Sequence, residues 1–235
     1  MNPYNTSTPP WISASTAESE FRTRAFMRSV YGWMAGGLVL TALAALWVIS
    51  SPMMRALVLG NPIVMFGLIF AELGIVIVMS IKQRTISAGG ALAAFLVYAF
   101  LNGLTLSVIF FVYRLGSITL AFGVSAGMYG AMALYGLVTK RDLTSWGSFF
   151  AMGLFGVIIL MVAGIFIHAT ALQMTIATLG IFVFLGLTAY DNQKLKRFAQ
   201  AGASDNAAIF GALTLYLDFI NLFLFVLRLL GDRRR

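Results

Sequence analysis

Charged residues are scarce in this sequence, and their scarcity excludes an ordinary water-soluble fold. Only 10% of the 235 residues are charged and 60% are apolar, whereas a soluble domain carries roughly 25% charged residues. Too few polar groups are present to cover a surface that faces water. The chain is better divided by the roughly 20 residues that one helix needs to cross a bilayer.

Cysteine is absent and histidine occurs once, as His168. The lack of cysteine excludes disulfides, thiol catalysis and cysteine-ligated metals, and a zinc site would need carboxylates as most of its ligands. The net charge of +8 is spread over short clusters between apolar runs, which is typical of residues that face anionic lipid rather than nucleic acid. No enzyme motif occurs in its required context, so we expect no catalytic residue and no resident cofactor.

Seven long runs with almost no charge divide the chain. They cover residues 29–50, 61–81, 87–113, 117–139, 145–167, 171–191 and 207–230. Backbone polar groups in hydrocarbon must be bonded within the protein, so such runs form helices or barrel strands, and these lack the alternation of barrel strands. The sequence therefore predicts an all-α polytopic membrane bundle of about seven transmembrane helices. A polar, flexible tail over 1–27 precedes the bundle of 28–231, and a basic tail over 232–235 follows it.

Pairs of glycines indicate where helices approach each other. Gly32 and Gly36 are four residues apart, as are Gly123 and Gly127. Because small residues at this spacing let two helix backbones come close, both pairs predict helix–helix contacts.

The distribution of lysine and arginine predicts the orientation. With a cytoplasmic N-terminus, ten basic residues of the tail and connections lie inside and two lie outside, as the positive-inside rule requires. Seven full spans would place the arginines of 233–235 outside, against the rule. A last segment that enters the membrane and returns would keep them inside. Both topologies are open at this stage, and the length of the last run favours seven spans.

Three of the eight acidic residues fall within apolar runs, namely Glu72, Asp191 and Asp218. A charge at mid-membrane costs about 2.5–3.5 kcal/mol on the insertion scale, so such residues are candidates for function. Asp191 and Asp218 are equally far from the turn-like stretch 202–206. In an antiparallel hairpin closed there, each lies about 11 residues, or roughly 17 Å, from the turn. The two carboxyl groups can therefore meet.

Two carboxyl groups that meet in hydrocarbon should hold one proton between them, because repulsion and lost hydration disfavour two charges. The shared proton would bridge two helices, and its loss would leave charges that repel or recruit a hard cation such as Ca²⁺. The sequence thus indicates a pH-sensing, cation-binding site at Asp191 and Asp218. The alternative is that each aspartate separately bonds a hydroxyl or caps a backbone kink.

Polar residues near the two aspartates are predicted to support the pair. Asn221 follows Asp218 by three residues and therefore lies on the same helix face. Tyr190 and Tyr216 are close to the aspartates in sequence and could donate hydrogen bonds.

Two further polar residues of the apolar runs, Asn102 and Glu72, are candidates for the bundle interior. A lone Asn more often bonds a neighbouring helix than a ligand. An ionised Glu72 needs a partner, and the nearest basic residues on its own helix are Lys82 and Arg84.

Two stretches of the sequence resemble the Bax inhibitor-1 family, also called the transmembrane Bax inhibitor motif family. They are YDNQ at 190–193 and LYLDFINLF at 215–223, the latter continued by LRLLG at 227–231. The resemblance covers about residues 20–231, and the closing motif is its specific part. It implies six helices around a central last helix. It also implies that Asp191 and Asp218 sense pH and govern a calcium-permeable leak, here in a bacterial inner membrane.

The resemblance matches Glu72 with an acidic residue of the family's second helix. Better-studied bacterial members carry an arginine eleven residues later that pairs with the two aspartates. This sequence has Gln83 there, between Lys82 and Arg84, so a neighbouring basic residue would have to replace that arginine. Some bacterial relatives bind and modulate a membrane-bound AAA protease. A non-conducting regulator of such a protease, bound through 1–27, is therefore an alternative function. A proton-coupled transporter is a third, although no inverted repeat is visible.

Overall fold

The computed structural model describes residues 10–83, 85–167 and 169–234, without the side chains of 10–17 and 205. Arg84 and His168 lie outside the described residues. Within them the chain forms nine helices: α1 (Pro10–Ser50), α2 (Pro52–Val58), α3 (Pro62–Lys82), α4 (Ala88–Leu106), α5 (Ile109–Val112), α6 (Leu115–Val138), α7 (Thr144–Phe166), α8 (Thr170–Gln200) and α9 (Asp205–Leu230).

Seven helical stretches of the described chain are long and apolar enough to cross a membrane. They are α1 from Glu18 onward, α3, α4 with α5, α6, α7, α8 and α9. The prediction of an all-α bundle with seven transmembrane helices is therefore confirmed. The third run differs from its prediction, because an irregular turn at Ser107 and Val108 separates α4 from α5.

Polar side chains at the connections explain several of the helix starts. Asn61 precedes Pro62, and its Oδ1 accepts a hydrogen bond from Ile63 N at 3.0 Å. Asp142 lies two residues before Thr144, the first residue of α7, and accepts a hydrogen bond from Thr144 N at 2.8 Å. Such bonds satisfy the free N–H groups at a helix start and so fix where the helix begins.

The last helix, α9, is the centre of the bundle. In its apolar stretch 78% of the residues are buried, against 6% in α3 and in α7. Helix α9 packs mainly against α1, α4, α6 and α8, while α3 packs on α4 and α7 packs on α8. The prediction of a central last helix is correct, but four helices rather than six form its immediate surroundings.

The connections lie alternately at two faces of the bundle. The N-terminal face carries the α3–α4, α6–α7 and α8–α9 connections, and there Asn206 Nδ2 donates to Ile86 O at 2.9 Å. The opposite, C-terminal face carries the end of the chain. Arg234 N donates to Val112 O at 2.9 Å, and Arg114 pairs with Asp232 at 3.1 Å. Because α9 is one continuous helix from face to face, the re-entrant alternative for the last segment is wrong.

Helix α1 begins before its apolar run. It starts at Pro10 and continues without interruption to Ser50, so much of the predicted tail over 1–27 is the beginning of this helix. Pairs four residues apart support it, with Arg22 2.5 Å from Glu18 and Arg24 3.2 Å from Glu20. Such pairs stabilise an exposed helix by a few tenths of a kcal/mol each, about 0.2–0.5.

Close helix contacts occur at glycines other than the predicted pairs. A Cβ at Gly32, Gly36, Gly123 or Gly127 would have no heavy atom of another element within 4 Å. The predicted contacts at these pairs are therefore wrong, because the spacing puts both glycines on one helix face without deciding which way that face points. The tight approach is at Gly136, where a Cβ would lie 2.2 Å from Ala189 O of α8.

Candidate functional site

The hairpin of α8 and α9 positions the two membrane-embedded aspartates. Helix α8 ends at Gln200, and Gly202 turns the chain with a φ of +80°, a conformation that glycine adopts without strain. Helix α9 then returns alongside α8, and the two helices pack closely. Asp191 of α8 and Asp218 of α9 consequently lie at similar depth.

The carboxyl groups of Asp191 and Asp218 are within hydrogen-bonding reach of each other. Both residues are buried, with 9% and 4% of their surface exposed. Asp218 Oδ2 has no hydrogen-bond partner among the described residues. The predicted meeting of the two side chains is therefore confirmed, and the alternative in which each aspartate acts alone is not what the structure shows. Their role in pH sensing stays a prediction.

Uncharged polar groups from α1, α6 and α8 surround this pair. The Tyr31 hydroxyl donates to Asn192 Oδ1, and Asn192 Nδ2 donates to Thr188 O at 2.7 Å. The Tyr129 hydroxyl of α6 donates to Met34 Sδ at 3.5 Å and lies near Asn192 and both aspartates. These neighbouring groups are uncharged, and their hydrogen bonds go to acceptors other than the aspartates, so they do not neutralise the pair.

Sequence reasoning missed these surrounding residues. Asn192 directly follows Asp191 in the YDNQ stretch, so its position was a usable signal. Tyr31 and Tyr129 gave none, because each is an isolated tyrosine in an apolar run and its partner is distant in sequence.

A second polar network lies apart from the pair and connects α3, α4, α9 and α1. The carboxylate of Glu72 accepts hydrogen bonds from Asn102 Nδ2 at 3.0 Å and from the Thr105 hydroxyl at 2.9 Å. The Tyr216 hydroxyl donates to Asn102 Oδ1 at 2.9 Å and lies 2.6 Å from Thr41 Oγ1. Glu72 and Asn102 therefore meet each other instead of the two aspartates, and Tyr216 belongs to this network.

The remaining predicted supporters do not reach the pair. Asn221 Nδ2 donates to Leu217 O of its own helix at 2.8 Å. The ring of Tyr190 lies against Gly147 of α7. Lys82, a possible basic latch, is exposed at the end of α3 and forms no ion pair with a described residue. Arg84, the other possible latch, lies outside the described residues.

One cation does lie near the pair, and the sequence analysis did not single it out. Lys194 is three residues beyond Asp191 on α8 and is within electrostatic reach of its carboxyl group. Its ammonium group lies 5.7 Å from the ring centre of Tyr190 and 5.8 Å from that of Phe198. Lys194 is exposed and lies in the last turns of α8, towards the N-terminal face.

The carboxyl pair offers a limited set of metal ligands. Among the described residues, no group of three or more acidic, histidine or cysteine side chains converges. Two carboxylates supply at most four oxygens, whereas Ca²⁺ takes six to eight. A calcium ion at the pair would therefore keep water or backbone carbonyls as its other ligands.

The fold and the buried pair define a polytopic helical membrane protein with two acidic groups at its core. The model of the family described as "Inhibitor of apoptosis-promoting Bax1" matches residues 23–235. The chain belongs to this family, the Bax inhibitor-1 family. It is 44% identical over 228 residues to the inner membrane protein YbhL of Escherichia coli, covering 94% of this chain and 97% of YbhL. It is also 40% identical over 216 residues to an uncharacterized protein of Deinococcus radiodurans, covering 90% and 92%.

Proposed function

We propose that this chain is a multi-pass protein of the bacterial inner membrane that lets cations, Ca²⁺ among them, leak across the bilayer under the control of pH. The observation that carries the proposal is the buried meeting of Asp191 and Asp218 between α8 and α9. The similarity to YbhL supports a location in the inner membrane, and the distribution of basic residues supports a cytoplasmic N-terminus.

The gate follows from the chemistry of two acids in a low-dielectric interior. With one proton between them, the carboxyl groups form a hydrogen-bonded bridge that holds α8 against α9. Once that proton leaves, two negative charges face each other and either separate or recruit a cation. Water completes the coordination of a hard cation, so the ion binds transiently and moves on.

The surroundings of the pair support a response to protons. Tyr129 faces the pair from α6, Tyr31 of α1 bonds the neighbouring Asn192, and Lys194 approaches the pair along α8. The two tyrosines are neutral, and the lysine is exposed at the N-terminal face. When the shared proton is lost, no nearby group neutralises the second negative charge. The repulsion between the two carboxylates therefore favours a movement of α8 relative to α9. Because α9 also contacts α1, α4 and α6, that movement reaches most of the bundle.

Calcium flux into proteoliposomes, measured between pH 6 and pH 8, tests the proposal. Asp191→Asn and Asp218→Asn each keep the size of the side chain but remove its charge, so each should change the flux and abolish its pH dependence. Asp232→Asn is the matched control, since Asp232 is exposed at the C-terminal face and outside both the pair and the α8–α9 hairpin. Flux that keeps its size and pH dependence in the double aspartate variant would exclude this gate.

A non-conducting regulator of a membrane-bound AAA protease is the second candidate. It is favoured by one observation, the continuation of α1 beyond its apolar run with exposed charges at Glu18, Glu20, Arg22 and Arg24. Removal of residues 1–24, which include these four charges, should then abolish co-purification with the protease and leave ion flux unchanged. If conduction is the function, the two aspartate variants should change ion flux and leave co-purification with the protease unchanged.

A further inference from the structure

A basic cleft opens at the N-terminal face, outside the site described above. It lies between the α6–α7 connection and the last turns of α8 and has a volume of about 190 Å³. Its lining includes Thr139, Lys140, Arg141, Gln193, Lys196 and Arg197. The cations come from two different elements, so their convergence is a property of the fold and not of a single run of sequence.

Buried side-chain hydrogen bonds fix the shape of this cleft. Gln193 is 7% exposed; its Nε2 donates to Arg141 O at 2.8 Å, and its Oε1 accepts from Leu143 N at 2.9 Å. Lys196 Nζ donates to Leu137 O, at the end of α6, at 2.7 Å. The connection is therefore tied to α8 at several points, which is unlike a loose cluster of surface lysines.

The cleft keeps a net positive charge after its internal pairing. Asp142 accepts hydrogen bonds from the Thr144 hydroxyl and from Arg197, and these hold the pKa of its carboxyl group well below the usual range. Asp142 therefore neutralises one of four cations, Lys140, Arg141, Lys196 and Arg197, and leaves a balance of +3 (four minus one). Lys140 and Arg141 are exposed and make no ion pair with a described residue.

Aromatic residues place the cleft at the depth of lipid headgroups. Trp146 lies in the first turn of α7 with 51% of its surface exposed. Its ring stacks on Phe150 at 5.9 Å and meets Phe149 edge to face at 5.9 Å. Tryptophan favours the boundary between hydrocarbon and headgroups, so the cations one turn before it are at the level of the phosphates.

We propose that this cleft binds a phosphate group, and that its source is the headgroup of an anionic phospholipid. Basic clefts between transmembrane helices recognise anionic headgroups because several fixed cations meet one phosphate. The N-terminus of α7 takes no part, since Asp142 already occupies it. The lipid would hold the α6–α7 connection against α8, the helix that carries Asp191.

Titration of the full-length protein in a neutral detergent with short-chain phosphatidylglycerol tests the proposal, with short-chain phosphatidylcholine in parallel. Lys140→Gln combined with Arg141→Gln should weaken phosphatidylglycerol binding roughly 10- to 30-fold. Arg233→Gln combined with Arg234→Gln removes the same charge at the opposite face and should leave binding unchanged. Phosphatidylcholine should bind weakly to all three proteins.

A second variant separates a built cleft from general charge attraction. Gln193→Leu keeps all four cations but removes the bonds that tie the connection to α8, so it should also weaken phosphatidylglycerol binding. Its helix content by circular dichroism shows whether it folds. Equal losses in the cleft and tail double variants would overturn the proposal. Inorganic phosphate that binds as tightly as the lipid would identify a free-phosphate site and overturn the assignment to lipid.

Discussion

Gly136 is the residue on which the close approach of α6 and α8 depends. A Cβ there would lie 2.2 Å from Ala189 O, a backbone atom that cannot turn aside. Gly136→Ala should therefore push the helices apart and lower the free energy of unfolding by about 1–3 kcal/mol. Gly130→Ala on the same helix meets nothing within 4 Å and should be neutral or slightly stabilising. Thermal unfolding in detergent measures both, and equal effects would contradict the close approach.

The hydrogen-bonded carboxylate of Asp142 determines how the α6–α7 connection responds to acid. Its folded-state pKa lies below the ordinary value of about 3.9, so its carboxylate contributes stability that is complete above that value. The contribution is lost only as the pH falls below about 4, towards the folded-state pKa. Because the residue is exposed, the effect should be small and should weaken with salt.

Hydrogen exchange of the connection between pH 3 and pH 7 measures this response. In the wild type, protection should be constant from pH 7 to about pH 5 and fall below about pH 4. Asp142→Asn should remove that fall, and so should Arg197→Gln in part, since Arg197 is one of the two partners of the carboxylate. A fall centred near pH 6 would contradict the assignment to Asp142.

At the scale of helices, α3 depends on one half-buried carboxylate, that of Glu72, for its position. It packs on α4 and α2, and most of its surface faces outward. Glu72 joins it to Asn102 and Thr105. Hydrogen bonds between membrane helices average about 0.6 kcal/mol each, so Glu72→Ala should loosen α3 at a cost of about 1 kcal/mol without unfolding the bundle.

Spin labels on cysteines introduced at Ile63 and Phe111 test this role of Glu72, because the native chain has no cysteine that would compete. Both positions are exposed. The distance distribution should broaden in Glu72→Ala and stay narrow in Glu72→Gln, whose amide oxygen can still accept from Asn102 while its NH2 group donates to the Thr105 hydroxyl. A narrow distribution in the alanine variant would mean that apolar packing alone holds α3.

The hairpin of α8 and α9 shows which features a sequence can predict in such a bundle. The depth of a residue depends only on its distance from the turn, so the meeting of Asp191 and Asp218 could be predicted. The direction of a side chain depends on the rotation of the helix, and α9 is buried on nearly all sides. No polar stripe therefore marks which of its sides faces α8.

Helix geometry could still have corrected one of the predicted contacts. Tyr216 and Asp218 are two residues apart and so point about 200° apart around the helix. They cannot both face Asp191, and Tyr216 indeed bonds Asn102 on α4. The network of Glu72 and Asn102 is harder to predict, because it joins residues 30 positions apart on helices whose rotations are not fixed by any nearby turn.

The whole molecule is organised around α9, and this arrangement couples the two polar networks. Asp218 and Tyr216 are on the same helix turn but face different neighbours, so the aspartate pair and the Glu72 network share one rigid element. A displacement of α9 that separates the aspartates must also strain the bond from Tyr216 to Asn102. Tyr216→Phe removes this bond, so we expect calcium flux to begin at a lower pH in this variant than in the wild type. A protein that does not conduct would show no calcium flux in either form.

The topology of the whole chain is testable from outside the cell. Seven spans put the first and last described residues at opposite faces, and the excess of basic residues predicts that the N-terminal face is cytoplasmic. A membrane-impermeant maleimide should therefore label Gly116→Cys and Arg234→Cys in intact cells, but label Ala201→Cys only after lysis. Residue 116 is exposed with nothing within 4 Å of its Cβ position, so the substitution itself is harmless. Arg234→Cys is the decisive position, because its protection in intact cells would contradict an outer location for the C-terminal face.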